Sequence, residues 1–142
     1  MDFLVSSSEP KSDAVIQRYD VAQQTDGFWF GHVSSGNLEV LEATTDARTV
    51  VAGSLFGPLA DHSKGPGGVP DAKHLGEQAL ASDGSFALAR AQKNSVVVVT
   101  DAGGSIPVYY GHGPNGLSVG TVVHHVASCA GLTSIDQVSV VD

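Results

Sequence analysis

Asp83-Gly84-Ser85-Phe86-Ala87-Leu88-Ala89-Arg90-Ala91, then a turn at Gln92-Lys93-Asn94, then Val96-Val97-Val98-Val99: the fold is decided in this stretch. Ser85 to Ala91 reads as a strand. The valine run is continuous and β-branched, which suits a strand covered on both faces. Asp101-Ala102-Gly103-Gly104 turns the chain, Ile106 to Tyr110 is a further strand, and Gly113-Pro114-Asn115-Gly116 turns it again. Leu117 to Gly120 continues the meander into a helix. Thr121 is placed to cap that helix, Val123, Val126, Ala127 and Ala130 give it an apolar face, and Gly131 sits where a C-terminal cap belongs.

Upstream, Asp71 can cap a second helix, with Ala72, Leu75, Ala79 and Leu80 on one face. Gly76 weakens it by roughly 1 kcal/mol relative to Ala. Residues 57–70 contain Gly65-Pro66-Gly67-Gly68 and read as a loop. Toward the amino terminus, strands are expected at Asp2 to Ser6, Phe28 to Phe30, Leu38 to Glu42 and Thr49 to Leu55. Turns fall at Thr25-Asp26-Gly27 and Ser34-Ser35-Gly36-Asn37. The class is therefore α+β. Strands covered on both faces need a layer on each side, which two antiparallel sheets face to face with helices outside would provide.

The chain has 142 residues, one ordinary domain's worth, and a formal net charge of −8. Its seven Lys and Arg are scattered, so a phosphate backbone finds no basic patch and nucleic acid is not an expected partner. Cys129 is the one cysteine, which suits a reducing compartment. No apolar run is long enough to cross a membrane, and Met1-Asp2-Phe3-Leu4-Val5 lacks the pattern of a signal peptide. The expected location is cytoplasmic, with no membrane partner.

Asp83-Gly84-Ser85-Phe86-Ala87-Leu88, Val99-Thr100-Asp101, Gly104 and Ile106-Pro107-Val108-Tyr109-Tyr110, in this order and spacing, resemble the second half of the class II glutamine amidotransferase domain of the asparagine synthetase family. The likeness covers about residues 82 to 136 and is weak before residue 48. Leu132-Thr133-Ser134-Ile135-Asp136 resembles the link to the family's synthetase domain. The resemblance implies a four-layer αββα sandwich of the N-terminal nucleophile hydrolase type. It places the glutaminase-like domain at residues 1–131 and the linker at 132–142.

In that family the nucleophile is a cysteine at position 2, exposed by removal of Met1. Here the position holds Asp2, a poor nucleophile toward an amide. The family's Asn-Gly oxyanion pair aligns with Ala52-Gly53, so only the glycine is kept; one such donor is typically worth about 3 kcal/mol of barrier. The family's carboxylate-binding Arg has no counterpart in Gly31-His32-Val33-Ser34-Ser35. Asp83-Gly84 is retained, and the resemblance gives this Asp the substrate's amino group, although Asp-Gly also makes a turn. No catalytic residue is therefore expected, and Gly53, Asp83 and Gly84 mark a vestigial glutamine pocket.

The implied function is a non-catalytic, glutaminase-like scaffold for an adenylating synthetase domain, in cis or in trans, as in lasso-peptide cyclases and β-lactam synthetases. ATP and Mg belong to that synthetase domain, and no cofactor or metal is expected in this chain. A homodimer is the alternative assembly. Two other functions are open: an active glutamine amidotransferase with a relocated nucleophile (Ser6, Ser7, Ser8 or Cys129), and a free-standing small-ligand or protein-binding module. His124-His125 point about 100° apart on a helix and do not readily share a metal. Ser63-Lys64-Gly65-Pro66-Gly67-Gly68 lacks the ending of a phosphate loop. Asp101 to Ser105 is either a small amide nest or a hairpin turn.

Overall fold

The computed structural model describes residues 2–34, 36–60, 71–92 and 95–132, without the side chains of Ala72 and Lys73. In chain order its strands and helices are β1 (Phe3–Ser6), α1 (Asp13–Arg18), β2 (Val21–Thr25), β3 (Phe28–His32), β4 (Leu38–Ala43), β5 (Ala47–Phe56), α2 (Ala72–Leu80), β6 (Asp83–Gln92), β7 (Ser95–Thr100), β8 (Tyr109–Gly113), β9 (Gly116–Gly120) and α3 (Val123–Ala130). The strands build two antiparallel sheets, ordered β2-β3-β1-β9-β8 and β4-β5-β6-β7. The class is α+β, as the alternation of strand and turn signals implies.

The sheets pack face to face. Phe3, Val5, Phe28, Phe30 and Val119 of the five-stranded sheet meet Val50, Ala52, Ala87, Ala89 and Ala91 of the other. Large rings against a row of alanines let the two faces interdigitate, as native packing density demands. The valine run of β7 serves both faces, with Val96 and Val98 against this inner core and Val97 and Val99 against the outer one. There, Val51, Phe86, Leu88 and Val99 pack with Leu75 and Ala79 of α2. On the far side, Leu4 and Trp29 pack with Val15, Tyr19, Val126 and Cys129, which brings in α1 and α3. Helices thus cover the outer faces of both sheets.

Several expectations need correction. The strand proposed at Ile106 begins only at Tyr109. The Asp101 carboxylate accepts from the amides of Phe86 and Ser105 and from the Ser105 hydroxyl, so a compact turn precedes the crossing from one sheet to the other. Asp101 to Ser105 is a turn wrapped on a carboxylate rather than a nest open to an anion. Thr121 does not cap α3. Val122 is the N-cap and makes no side-chain cap bond, while the Thr121 hydroxyl accepts from the Phe3 amide at 3.2 Å. Leu80, expected on the buried face of α2, is 76 % exposed at the helix end. Asp71 does cap α2, accepting from the His74 amide at 3.0 Å, and Gly131 closes α3 at φ 76°. The Gly-rich loop core at 61–70, the turn at Lys93-Asn94 and the linker beyond Leu132 lie outside the described residues. Leu132 itself lies against Gly111 and Gly113 of β8.

Candidate functional site

The amide of Asp26 donates to the Thr45 carbonyl at 3.2 Å, which sets the start of β5 over the β2–β3 turn. From β5, Arg48 reaches forward to Phe30 and His32. Strand β5 therefore runs in the same sense as β3, and its last residues lie where β3 ends and β1 begins. The connection from β3 to β4 ties that end together. Val33 donates to the Asp2 carbonyl at 3.0 Å, and Gly53 donates to the Asn37 carbonyl at 2.8 Å. Asp83 and Gly84 pair with Phe56 and Leu55 beyond Gly53. The fold thus gathers Asp2, Gly53, Asp83 and Gly84 at one end of the sandwich.

The Asp2 carboxylate is clasped by Arg18 Nη2 at 2.7 Å and by the Thr121 hydroxyl at 3.2 Å. Next to it the Tyr19 hydroxyl and His125 Nδ1 are 2.7 Å apart, and the two rings meet edge to face. Burial, and then the negative Asp2, push the Tyr19 phenol up; burial, and then Arg18, push the His125 imidazole down. Both shifts favour a neutral pair joined by one hydrogen bond. What this end presents is an ion pair and a neutral Tyr–His pair, with no hydroxyl or thiol at position 2.

The substitute nucleophiles are engaged elsewhere. Cys129 is buried, and burial raises its thiol although Ser6 partly opposes this. Ser6 is buried at the opposite end of β1 from Asp2. Just beyond it, the Ser7 hydroxyl accepts from the Leu117 amide at 3.0 Å, and Ser8 donates to the Asn115 carbonyl at 3.2 Å.

Gly53 has φ 91° and Gly84 has φ 115°. A Cβ on Gly53 would collide with the Ser85 carbonyl, and one on Gly84 with the Ser54 carbonyl. Both glycines therefore have a backbone reason to be glycine, independent of any ligand. Ala52 is buried in the inner core and offers no side-chain donor. An amide side chain does stand beside Gly53, but it comes from Asn37, whose Nδ2 donates to the Ser54 hydroxyl at 3.2 Å. Sequence reasoning had Asn37 only as a turn residue; its place after Gly36 was the one available signal. Asp83 is exposed.

Arg48 is 3 % exposed and has no carboxylate partner among the described residues. It donates to Gln23 Oε1 at 2.6 Å, lies 3.0 Å from His32 Nδ1, and sits over the Phe30 ring. Burial, and then Arg48, push the His32 imidazole down. Among the described residues no three His, Cys, Asp or Glu side chains gather where they could hold a metal ion, and no helix is long and apolar enough to cross a membrane. Ser63 to Gly68 lie outside the described residues.

No protein-family model matches the chain, and no curated protein matches it significantly.

Proposed function

We propose that the chain is the non-catalytic, glutaminase-like domain of an ATP-dependent amide-forming enzyme of the asparagine synthetase family, of the lasso-peptide cyclase or β-lactam synthetase type. The reading gives it an N-terminal nucleophile hydrolase-like fold and a scaffolding role beside a cytoplasmic adenylating domain that carries the ATP and Mg. One observation carries most of the weight. The end of the sandwich that gathers Gly53, Asp83 and Gly84 also holds position 2, and there a carboxylate is locked onto Arg18 and Thr121. The Gly53 amide, the one retained oxyanion donor, is already bonded to Asn37.

Two measurements test this. The chain and a candidate synthetase encoded beside it should co-purify as a complex, and the isolated chain should release no ammonia from glutamine. Sustained ammonia release from the purified chain, abolished by Cys129→Ala or by a change at Ser6, Ser7 or Ser8, would overturn the reading in favour of a relocated glutaminase.

A further inference from the structure

Strand β2 is an edge of the five-stranded sheet, and among the described residues it pairs only with β3. The two strands are joined by Asp26-Gly27, both at positive φ. Two central residues at positive φ form a type I′ hairpin, in which the flanking residues Thr25 and Phe28 are a hydrogen-bonded pair. Hydrogen-bonded and non-hydrogen-bonded pairs alternate along an antiparallel ladder. Thr25, Gln23 and Val21 therefore spend their amides and carbonyls on β3, whereas Ala22 and Gln24 turn theirs outward from the sheet.

The same two residues line a groove of about 330 Å³ with Glu9, Ile16 of α1, Gln23 and Trp29. Natural edges are commonly blunted by charge, proline or a bulge. Strand β4, an edge of the four-stranded sheet, has such devices: a register shift between Val40 and Glu42, and an exposed Glu39. Strand β2 has none of them and is in register over all five residues. Its surroundings are acidic. Glu9 lines the groove, and Asp20 and Asp26 adjoin the two ends of the strand; of the cations nearby, Arg48 is buried and donates to Gln23 Oε1 at 2.6 Å, and Arg18 is spent on Asp2.

We propose that β2 is a docking edge for an extended, basic peptide segment of a partner protein. The segment adds as a sixth strand, bonding the outward amides and carbonyls of Ala22 and Gln24. Because side chains alternate across a strand, every second residue of the guest points into the groove over Trp29, where a lysine or arginine stem lies along Ile16 and its charge meets Glu9. None of the residues lining the groove is among those gathered at the Asp2 end of the sandwich, and the proposal stands whether or not the glutaminase-like reading does.

The test uses the whole chain and a seven-residue peptide of alternating lysine and valine, with its glutamate–valine counterpart as control. The basic peptide should bind saturably, slow hydrogen exchange at the Ala22 and Gln24 amides, and weaken as salt is raised. Ala22→Pro removes one outward donor without touching the β3 ladder, since proline is accepted where an edge amide faces solvent. It should weaken binding about tenfold, and Glu9→Lys should weaken it severalfold. An N-methylated peptide removes a bond from the other side and covers the case in which Ala22→Pro fails to fold. Equal binding of the acidic and basic peptides, no binding of either, or unchanged binding after N-methylation would refute the assignment.

Discussion

At the scale of single residues, the positions that matter are those whose partners are already taken. Asp2 is the clearest: its carboxylate is spent on Arg18 and Thr121, and the Gly53 amide is spent on Asn37. On the glutaminase-like reading proposed above, placing a nucleophile at position 2 should therefore not by itself produce chemistry. Asp2→Cys, purified with Met1 removed, should still release no ammonia from glutamine above the unaltered chain, because a tetrahedral oxyanion would find neither a side-chain donor at Ala52 nor a free amide at Gly53. Sustained turnover by that variant would show that the oxyanion site survives. His32 allows a second prediction. Its imidazole is held below its ordinary value by burial and by Arg48, with Asp20 opposing. Above about pH 6.5, the ordinary value of a histidine, neither folded nor unfolded chain protonates it. Below that pH the unfolded chain takes up a proton that the folded chain refuses, so stability falls until the lower folded value is passed. His125 is shifted in the same direction and adds to the loss. The urea midpoint should drop between pH 7 and pH 5, and His32→Gln, which keeps an acceptor for Arg48, should flatten part of that slope.

Among the elements, legibility followed burial. Strands β5, β6 and β7 carry continuous apolar or β-branched runs because they are covered on both faces, and these runs are visible in the bare sequence. Helix α1 and strand β2 were not anticipated. The helix has only six residues with Val15 alone buried, and β2 exposes Ala22 and Gln24, so neither shows a strong period. Thr121 misled because its hydroxyl is spent on the first strand, a contact 118 residues away in sequence. Two glycine substitutions distinguish local from tertiary demands. Gly76 lies inside α2 with nothing within 4 Å of where a Cβ would stand, so Gly76→Ala should stabilise the chain by up to about 1 kcal/mol. Gly53→Ala should instead destabilise it by about 1–3 kcal/mol from backbone strain alone, with the clash at Ser85 added. Chemical denaturation of the two variants reads both signs. If Gly53→Ala proved neutral, the close crossing of β5 and β6 would not be the reason for that glycine.

For the molecule as a whole, the layering followed from the coverage demanded by its apolar runs, while the contents of the site did not. Asn37 reaches Gly53 only because the turn after β3 folds back over β5, and Arg48 meets His32 only because two sheets stack. Neither neighbour is encoded within one stretch of chain. The stacking also changes the charge balance. Arg48 is buried and has no carboxylate partner among the described residues, whereas buried Arg90 is matched by Glu42, so the surface is slightly more acidic than the formal charge of −8 conveys. Like charges on a compact body repel one another, and the repulsion is relieved when the chain expands. Salt screens it over about 10 Å at 0.1 M. Raising the salt concentration should therefore move the urea midpoint upward. The same change should weaken binding of the lysine–valine peptide at β2, whose attraction to Glu9 and its acidic neighbours is screened in the same way. Opposite responses of stability and binding, measured on one preparation across one salt series, are the expected outcome. If both rose with salt, apolar contact rather than charge would be holding the peptide, and the choice of a basic guest would be wrong.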